Sequence, residues 1–385
     1  MTHYDGSLAA VRREPDAPTP EPMANRPRFA VAAPVGAWSD RLPDVFASLA
    51  AQRPRPVVAL MDASGDPRVS ALADAFPELI TVRRHGPDAG QAAAIRDGWA
   101  RLDADIYAWL NADDWLYPDA LRTVASAFES DPNVDVVYGQ SVIVGPDGAA
   151  RGYHPVVGHD LAELTRSCVI SQPSCFVRRR ALERAGGVDA RWHYVMDWEL
   201  WLRLAESGAR FRYLPQVFSA VTWAPGTKTA SIEPARMLEI RRILARAGRP
   251  IDTLKSLLGV ILHHVETYTP FGAHLRTARQ SVGLQWNGGP IYGVDASGRL
   301  HGQARLPLTH YDARTKSGVR ARLGGPDLAG VSLRVMTDGV VGPAIPGGAD
   351  VFVPAPRGVA AAHVAELHVS APPGGKVKLT SALLV

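Results

Sequence analysis

Asp105-Ile106-Tyr107-Ala108-Trp109-Leu110-Asn111-Ala112-Asp113-Asp114-Trp115-Leu116-Tyr117-Pro118 is an apolar run that ends abruptly in polar and acidic residues before a proline. Ile106 to Leu110 is too short for a helix and rich in large apolar side chains, so it reads as a strand buried on both faces. Such a strand belongs in a sheet covered by helices. The acidic turn that follows then sits at the strand's carboxyl end, where open α/β sheets bind their ligands.

The chain on either side supplies the neighbours. Upstream, Phe29 to Ala33 and Val57 to Met61 read as strands, Leu42 to Ala51 as a helix, and Leu79 to Val82 as a third strand. Gly90 to Leu102 reads as a helix whose apolar face carries Ala92, Ala93, Ile95, Trp99 and Leu102. Downstream, Pro118 to Phe128 resumes helix and Val134 to Tyr138 strand. This alternation predicts an α/β fold with an open sheet flanked by helices. Asp62-Ala63-Ser64-Gly65 follows the second strand directly, so it shares a rim with Asn111 to Asp114.

Farther on, Gln172 to Val177 is expected to be extended, with a helix starting at Arg180 and a turn at Gly186-Gly187. A helix from Met196 to Ala205 carries Trp198, Leu200, Trp201 and Leu204, and Phe211 to Leu214 reads as a short final strand. Residues 234–287 read as a helical linker region with an apolar stripe at Leu254, Leu257, Leu258, Ile261 and Leu262. From Gly288 glycine and proline become dense, and Val331-Ser332-Leu333-Arg334-Val335 alternates, which predicts a small β-sandwich over 288–385. Residues 1–27, with Pro15, Pro18, Pro20, Pro22 and Pro27 among charged residues, read as a disordered tail without a signal peptide. The α/β domain is then expected over 28–233.

Composition narrows the class. The 385 residues are 46% hydrophobic and 21% charged, a globular balance. The net charge of +4 arises from 42 basic against 38 acidic residues, too small a surplus for a nucleic-acid binder. Two cysteines, Cys168 and Cys175, supply no disulfide framework, and a reducing, cytoplasmic setting fits them. No stretch approaches the roughly 20 apolar residues of a membrane span, so contact with the inner face of a membrane would be peripheral. Homo-oligomerisation is compatible with this composition.

A short acidic turn at a strand end suits Mg²⁺ or Mn²⁺. These cations need only one or two carboxylates when phosphate oxygens and water complete the shell. Capping of the following helix by Asp113 or Asp114 is the plainer alternative. Likewise Asp62 could be a turn former and Asp197 a helix-start acid, while Trp198, Trp201 and both cysteines fit a core. His263-His264 has no carboxylate partner at metal spacing.

Four stretches in order resemble the inverting family 2 glycosyltransferases of the GT-A fold, over about residues 28 to 230. Met61 to Asp66 resembles the family's nucleoside-contacting acidic turn. Gly86 to Gly98 resembles the segment beneath the donor. Trp109 to Pro118 is similar to the Asp-x-Asp motif, and Gln172-Pro173-Ser174, Gly186 to Asp189 and Met196 to Leu204 to the acceptor-side block. The resemblance implies a nucleotide-sugar donor, most simply a UDP-sugar, and a glycan or lipid-linked acceptor in surface polysaccharide biosynthesis. It also implies Asp197 as the general base and Asp113 as the ligand of Mn²⁺ or Mg²⁺. Pro34, Asp62, Ser64, Asp88, Gly90, Gln91, Asn111, Ala112 and Asp113 would line the donor, with Asp114, Gln172, Trp198, Trp201 and Lys228 as acceptor-side or supporting residues. Three positions depart from the pattern: Asn111 replaces the first acid of Asp-x-Asp, Met196 replaces the Glu before the base, and Thr222-Trp223 stands where the family has a late His or Arg, with Lys228 nearby as a candidate phosphate contact. A carbohydrate-binding protein with a decayed transferase domain is the alternative these departures leave open.

Overall fold

A computed structural model describes residues 27–249 apart from 146–149, 155–160, 224–226 and 229–232. It also describes scattered positions from 254 to 275 and most of 292–384. Its first half alternates strand and helix: β1 (Phe29–Val35), α1 (Leu42–Ala50), β2 (Val57–Asp62), α2 (Pro67–Asp74), β3 (Ile80–His85), α3 (Gln91–Ala100) and β4 (Ile106–Trp109). All four strands are parallel, in the order β3-β2-β1-β4. The winding reverses between β1 and β4, and a crevice opens at the strand ends there.

The second half comprises β5 (Trp115–Leu116), α4 (Ala120–Ser130), β6 (Val136–Val144), β7 (Ala150–Tyr153), β8 (Cys175–Arg178), α5 (Arg179–Ala185), α6 (Met196–Glu206), β9 (Phe211–Thr222) and α7 (Pro234–Arg246). Here β8 enters antiparallel between β4 and β6, β9 runs parallel to β6, and β5 returns antiparallel on β9. The result is a mixed, open sheet, with β7 paired to β6.

Strand periodicity divides the core. Along β1, Ala30 and Ala32 pack into one apolar cluster with α3 and α6, while Phe29, Val31, Ala33 and Val35 pack into another with α1 and α4. The α3 layer sits low because Gly98 has no side chain. A Cβ there would lie 3.1 Å from Met61 Cγ and 3.3 Å from the Cβ atoms of Ala32 and Ala59. Gly98→Val is therefore expected to lower the unfolding free energy by about 1–3 kcal/mol, read as a lower urea midpoint at unchanged slope.

Several expectations are revised. The last strand is not confined to Phe211–Leu214 but runs to Thr222. Pro215 looks like a strand breaker, yet the register against β6 shifts between the Tyr138 and Gln140 pairings, so the proline occupies an irregularity that needs no ladder N–H. Gln172 to Ser174 form a 3-10 turn before β8 rather than a strand, with Pro173 supplying the bend. Helix α4 begins at Ala120 with Asp119 at its cap, so Asp113 and Asp114 do not cap it.

After α7, Leu254, Leu258 and Ile261 are helical and 65%, 54% and 47% exposed. Leu257 and His263-His264 lie outside the described residues. No helix among the described residues is long and apolar enough to cross a membrane.

The C-terminal strands are β10 (Tyr292–Val294), β11 (Leu300–Thr309), β12 (Gly318–Gly324), β13 (Ser332–Thr337), β14 (Val340–Val341), β15 (Ile345–Pro346), β16 (Asp350–Pro354), β17 (Val364–Ser370) and β18 (Lys378–Leu384). They form two antiparallel sheets, β10-β11-β17-β13-β14 with β15 on β13, and β16-β12-β18. One apolar core joins them, built from alternating residues such as Val319 and Ala321 of β12 and Leu333 and Val335 of β13.

Candidate active site

Asn111 is the hub of the turn between β4 and β5. Its Oδ1 accepts from Gln91 Nε2 at 2.7 Å, and its Nδ2 donates to Asp114 Oδ2 at 3.0 Å and to Gln172 Oε1 at 3.2 Å. Gln172 Nε2 donates in turn to the Trp109 carbonyl at 2.7 Å. On the other side Lys228 Nζ donates to Gln91 Oε1 at 2.9 Å and to the His193 carbonyl at 3.3 Å. One polar network thus joins residues 91, 111, 114, 172 and 228.

The two carboxylates of this turn differ in what they do. Asp114 is 3% exposed, and its Oδ1 accepts the Thr222 backbone N–H at 2.9 Å. The Thr222 hydroxyl donates to the Asp113 carbonyl, fastening the turn to the end of β9. Asp113, half-buried, accepts nothing on its carboxylate from any other described residue. Burial raises both pKa values, and for Asp114 the neighbouring Asp113 charge raises it further, well above the usual carboxylate range. Burial also lowers the Lys228 ammonium.

No cluster of three or more metal-ligating side chains exists among the described residues. The available donor set is one uncommitted carboxylate beside a braced one. That chemistry fits a Mg²⁺ or Mn²⁺ ion taking most of its ligands from phosphate oxygens and water, and it does not fit a resident structural ion.

Asn111 as hub explains why an amide can stand where a carboxylate is expected. Asn111→Asp would lose both Nδ2 donations and set a third carboxylate beside two already raised by burial. We expect it to cost about 1–3 kcal/mol of stability at neutral pH. The deficit should shrink as pH falls and the carboxyls protonate, and added Mn²⁺ should offset it; thermal unfolding against pH and metal checks this.

Asp62, at the end of β2, is buried. Its Oδ1 accepts the Ser64 N–H at 2.9 Å and the Ser64 hydroxyl at 2.5 Å, and its Oδ2 lies 2.8 Å from His85 Nδ1. His85, which sequence reasoning missed, ends β3 in register with Asp62. The signal was its position: both residues close their strands on the crevice rim. Pro34 lies beyond the last β1–β4 pair, Ala32 with Trp109, so no ladder bond to β4 is lost. Gly90 has φ +104°, a backbone that favours glycine, and its N–H donates to Asp88 Oδ1 at 2.8 Å to start α3. Ala112 is half-buried and packs on the α1 side of the sheet.

Asp197 sits in the first turn of α6, where its Oδ1 accepts the Trp198 N–H at 2.8 Å. Trp201, one turn later on the same face, stacks on Trp109 with ring centroids 5.7 Å apart and planes 23° apart. Asp197 therefore faces the side of α6 that covers the end of β4. Burial raises its carboxyl pKa, and the Arg236 charge from α7 opposes that rise. Cys168 and Cys175 share this pocket: burial, then the Asp197 charge, holds both thiols well above their usual range. Trp198 and Trp201 are 5% and 0% exposed, and Trp198 Nε1 donates to the Leu164 carbonyl at 2.6 Å. They are core supports and present no sugar-stacking face.

Beneath the site lies a cluster of four buried serines. Ser141 Oγ is 2.6, 2.8 and 2.7 Å from the hydroxyls of Ser171, Ser174 and Ser219, and Ser174 Oγ is 2.7 Å from Ser219 Oγ. These hydroxyls anchor the Gln172 turn to β6 and β9.

Residues 36–186 match the family described as glycosyl transferase family 2. Over that stretch the chain is similar to the family 2 glycosyltransferases. Curated relatives include the O-antigen biosynthesis protein RfbC of Myxococcus xanthus, 26% identical over 201 residues, which are 50% of this chain and 16% of that protein. The pre-mycofactocin glycosyltransferase of Mycobacterium tuberculosis is 32% identical over 145 residues, 35% of this chain and 31% of that protein. The chain thus spans less than a third of either relative. Among solved structures, mannosyltransferase PcManGT from Pyrobaculum calidifontis in complex with GDP-Man and Mn²⁺ is similar at 18% identity and a TM-score of 0.46, covering 71% of this chain and 85% of that one. TarS residues 1–349 of S. aureus in complex with UDP-GlcNAc is similar at 14% identity and a TM-score of 0.46, covering 66% and 77%. The family 2 match includes Asp62, Asn111 to Asp114 and Gln172 but stops short of Asp197, Lys228 and α7.

Proposed function

We propose that this family 2 domain is a metal-dependent inverting glycosyltransferase. It would move a sugar from a nucleoside diphosphate sugar, most simply a UDP-sugar, to a glycan or lipid-linked acceptor in surface polysaccharide assembly. The observation carrying the reading is the network around Asn111, which engages Asp114 and leaves the Asp113 carboxylate uncommitted among the described residues. Asp62, Ser64 and Pro34 would hold the nucleoside, and Asp88, Gly90, Gln91 and Lys228 the diphosphate flank. A divalent cation at Asp113 would neutralise charge on the departing diphosphate. Asp197 would accept the proton of the acceptor hydroxyl while its oxygen bonds to the anomeric carbon and the bond to the diphosphate oxygen breaks, a single displacement that inverts configuration.

The departures from the family pattern leave this reading standing. Met196 is 6% exposed, so it occupies core rather than an emptied acid site, and Asn111 is fully used in the network. We assign acceptor holding or self-association to the two C-terminal sheets.

Purified protein with Mn²⁺ or Mg²⁺ and a panel of nucleotide sugars is expected to release nucleoside diphosphate from at least one of them. Binding of glycans without turnover of any donor would favour the carbohydrate-binding alternative and refute this one.

A further inference from the structure

Helix α7 lies outside the family match and beyond the expected end of the α/β domain at 233. Its inner face nevertheless reaches the start of α6. Glu239, 8% exposed, accepts three consecutive backbone N–H groups: His193 on Oε1 at 2.9 Å, and Tyr194 and Val195 on Oε2 at 2.7 and 3.2 Å. These residues lead directly into Met196 and Asp197. The α6 cap residue, Val195, offers no side chain to its helix, and a carboxylate from another helix fixes the segment that enters it. One turn earlier on α7, Arg236 is partly buried and opposes the Asp197 charge. The Tyr194 hydroxyl adds a hydrogen bond to Glu233 at the α7 cap.

We propose that α7 belongs to the catalytic unit, with Glu239 as a positioning residue that fixes the Asp197-bearing turn. The proposal rests on Asp197 being the general base. The clamp also reaches the donor side, because the His193 carbonyl that follows the first clamped N–H accepts from Lys228.

The test uses the full chain and whichever nucleotide sugar the wild type turns over, with amide hydrogen exchange over residues 190–198 measured without ligand. Glu239→Ala is expected to lower kcat by ~10²-fold with donor KM changed less than about threefold, and to strip protection from amides 193–195. Should it fail to fold, Glu239→Gln keeps the volume and one acceptor oxygen and takes the same measurements, with smaller losses expected. Arg241→Ala, on the exposed face of α7, serves as the control for helix disturbance. Glu239 variants no worse than this control would overturn the proposal. If the wild type turns over no donor, the transferase reading fails instead. Amide exchange then decides the clamp alone, and unchanged protection in the Glu239 variants sinks it.

Discussion

Asp197→Asn is expected to lower turnover by ~10²–10⁴-fold while nucleotide binding in the presence of Mn²⁺ stays close to wild type. The side chain keeps its size and its bond from the Trp198 N–H but can no longer take a proton. A base on α6, away in sequence and in element from the turn that would hold the diphosphate, would separate the proton step from donor affinity. Burial raises the Asp197 pKa, so the wild-type acid limb should lie above the ordinary carboxylate range, with activity lost as pH falls through that raised value. Steady-state nucleoside diphosphate release against pH, beside calorimetric titration with nucleotide, measures both. An Asn variant with wild-type kcat would remove Asp197 from the chemistry.

Asp113→Asn is expected to abolish the metal response. Loss of the uncommitted carboxylate removes the protein's anchor for the cation, worth several kcal/mol of leaving-group stabilisation, so turnover should fall ~10³-fold or more. Calorimetry should show nucleotide binding that no longer strengthens on adding Mn²⁺. The same change should make the metal-free protein slightly more stable at neutral pH. Burial raises this carboxyl, so its ionised form is the disfavoured one, and it sits beside a second carboxylate. The gain should vanish as pH falls and the wild-type carboxyl protonates. A variant that loses stability and keeps its metal response would place the cation elsewhere. Activity held at some expense of stability is common where like charges are gathered for binding.

The parallel half of the sheet was legible because its strands are short continuous apolar runs, and their polar ends mark the crevice directly. Asp62 and Asn111 to Asp114 could be placed on one rim from that pattern alone. What was hidden depends on contacts between distant segments. His85 closes an amphipathic strand, and only the β2–β3 register sets it against Asp62. Pro215 seemed to end β9, because the irregularity that accommodates it is a property of two paired strands. Glu239 reads as an ordinary helical acid, since nothing local says that three backbone N–H groups from residues 193–195 will find it. Trp198 and Trp201 could be core or sugar platform by spacing. Burial and the Trp109 stack decide for core.

The four-serine cluster gives the site an insulated floor. Its members are uncharged hydroxyls with rotatable protons, so they can exchange donor and acceptor roles without gaining or losing a proton. Above them Asp113, Asp114 and Asp197 all change charge as acidity varies. Because Ser171 and Ser174 flank Gln172, the turn that carries this amide keeps its foothold at any acidity the fold survives. Swings in activity with pH should therefore report the titrating side chains of the site, not a shifting floor beneath them.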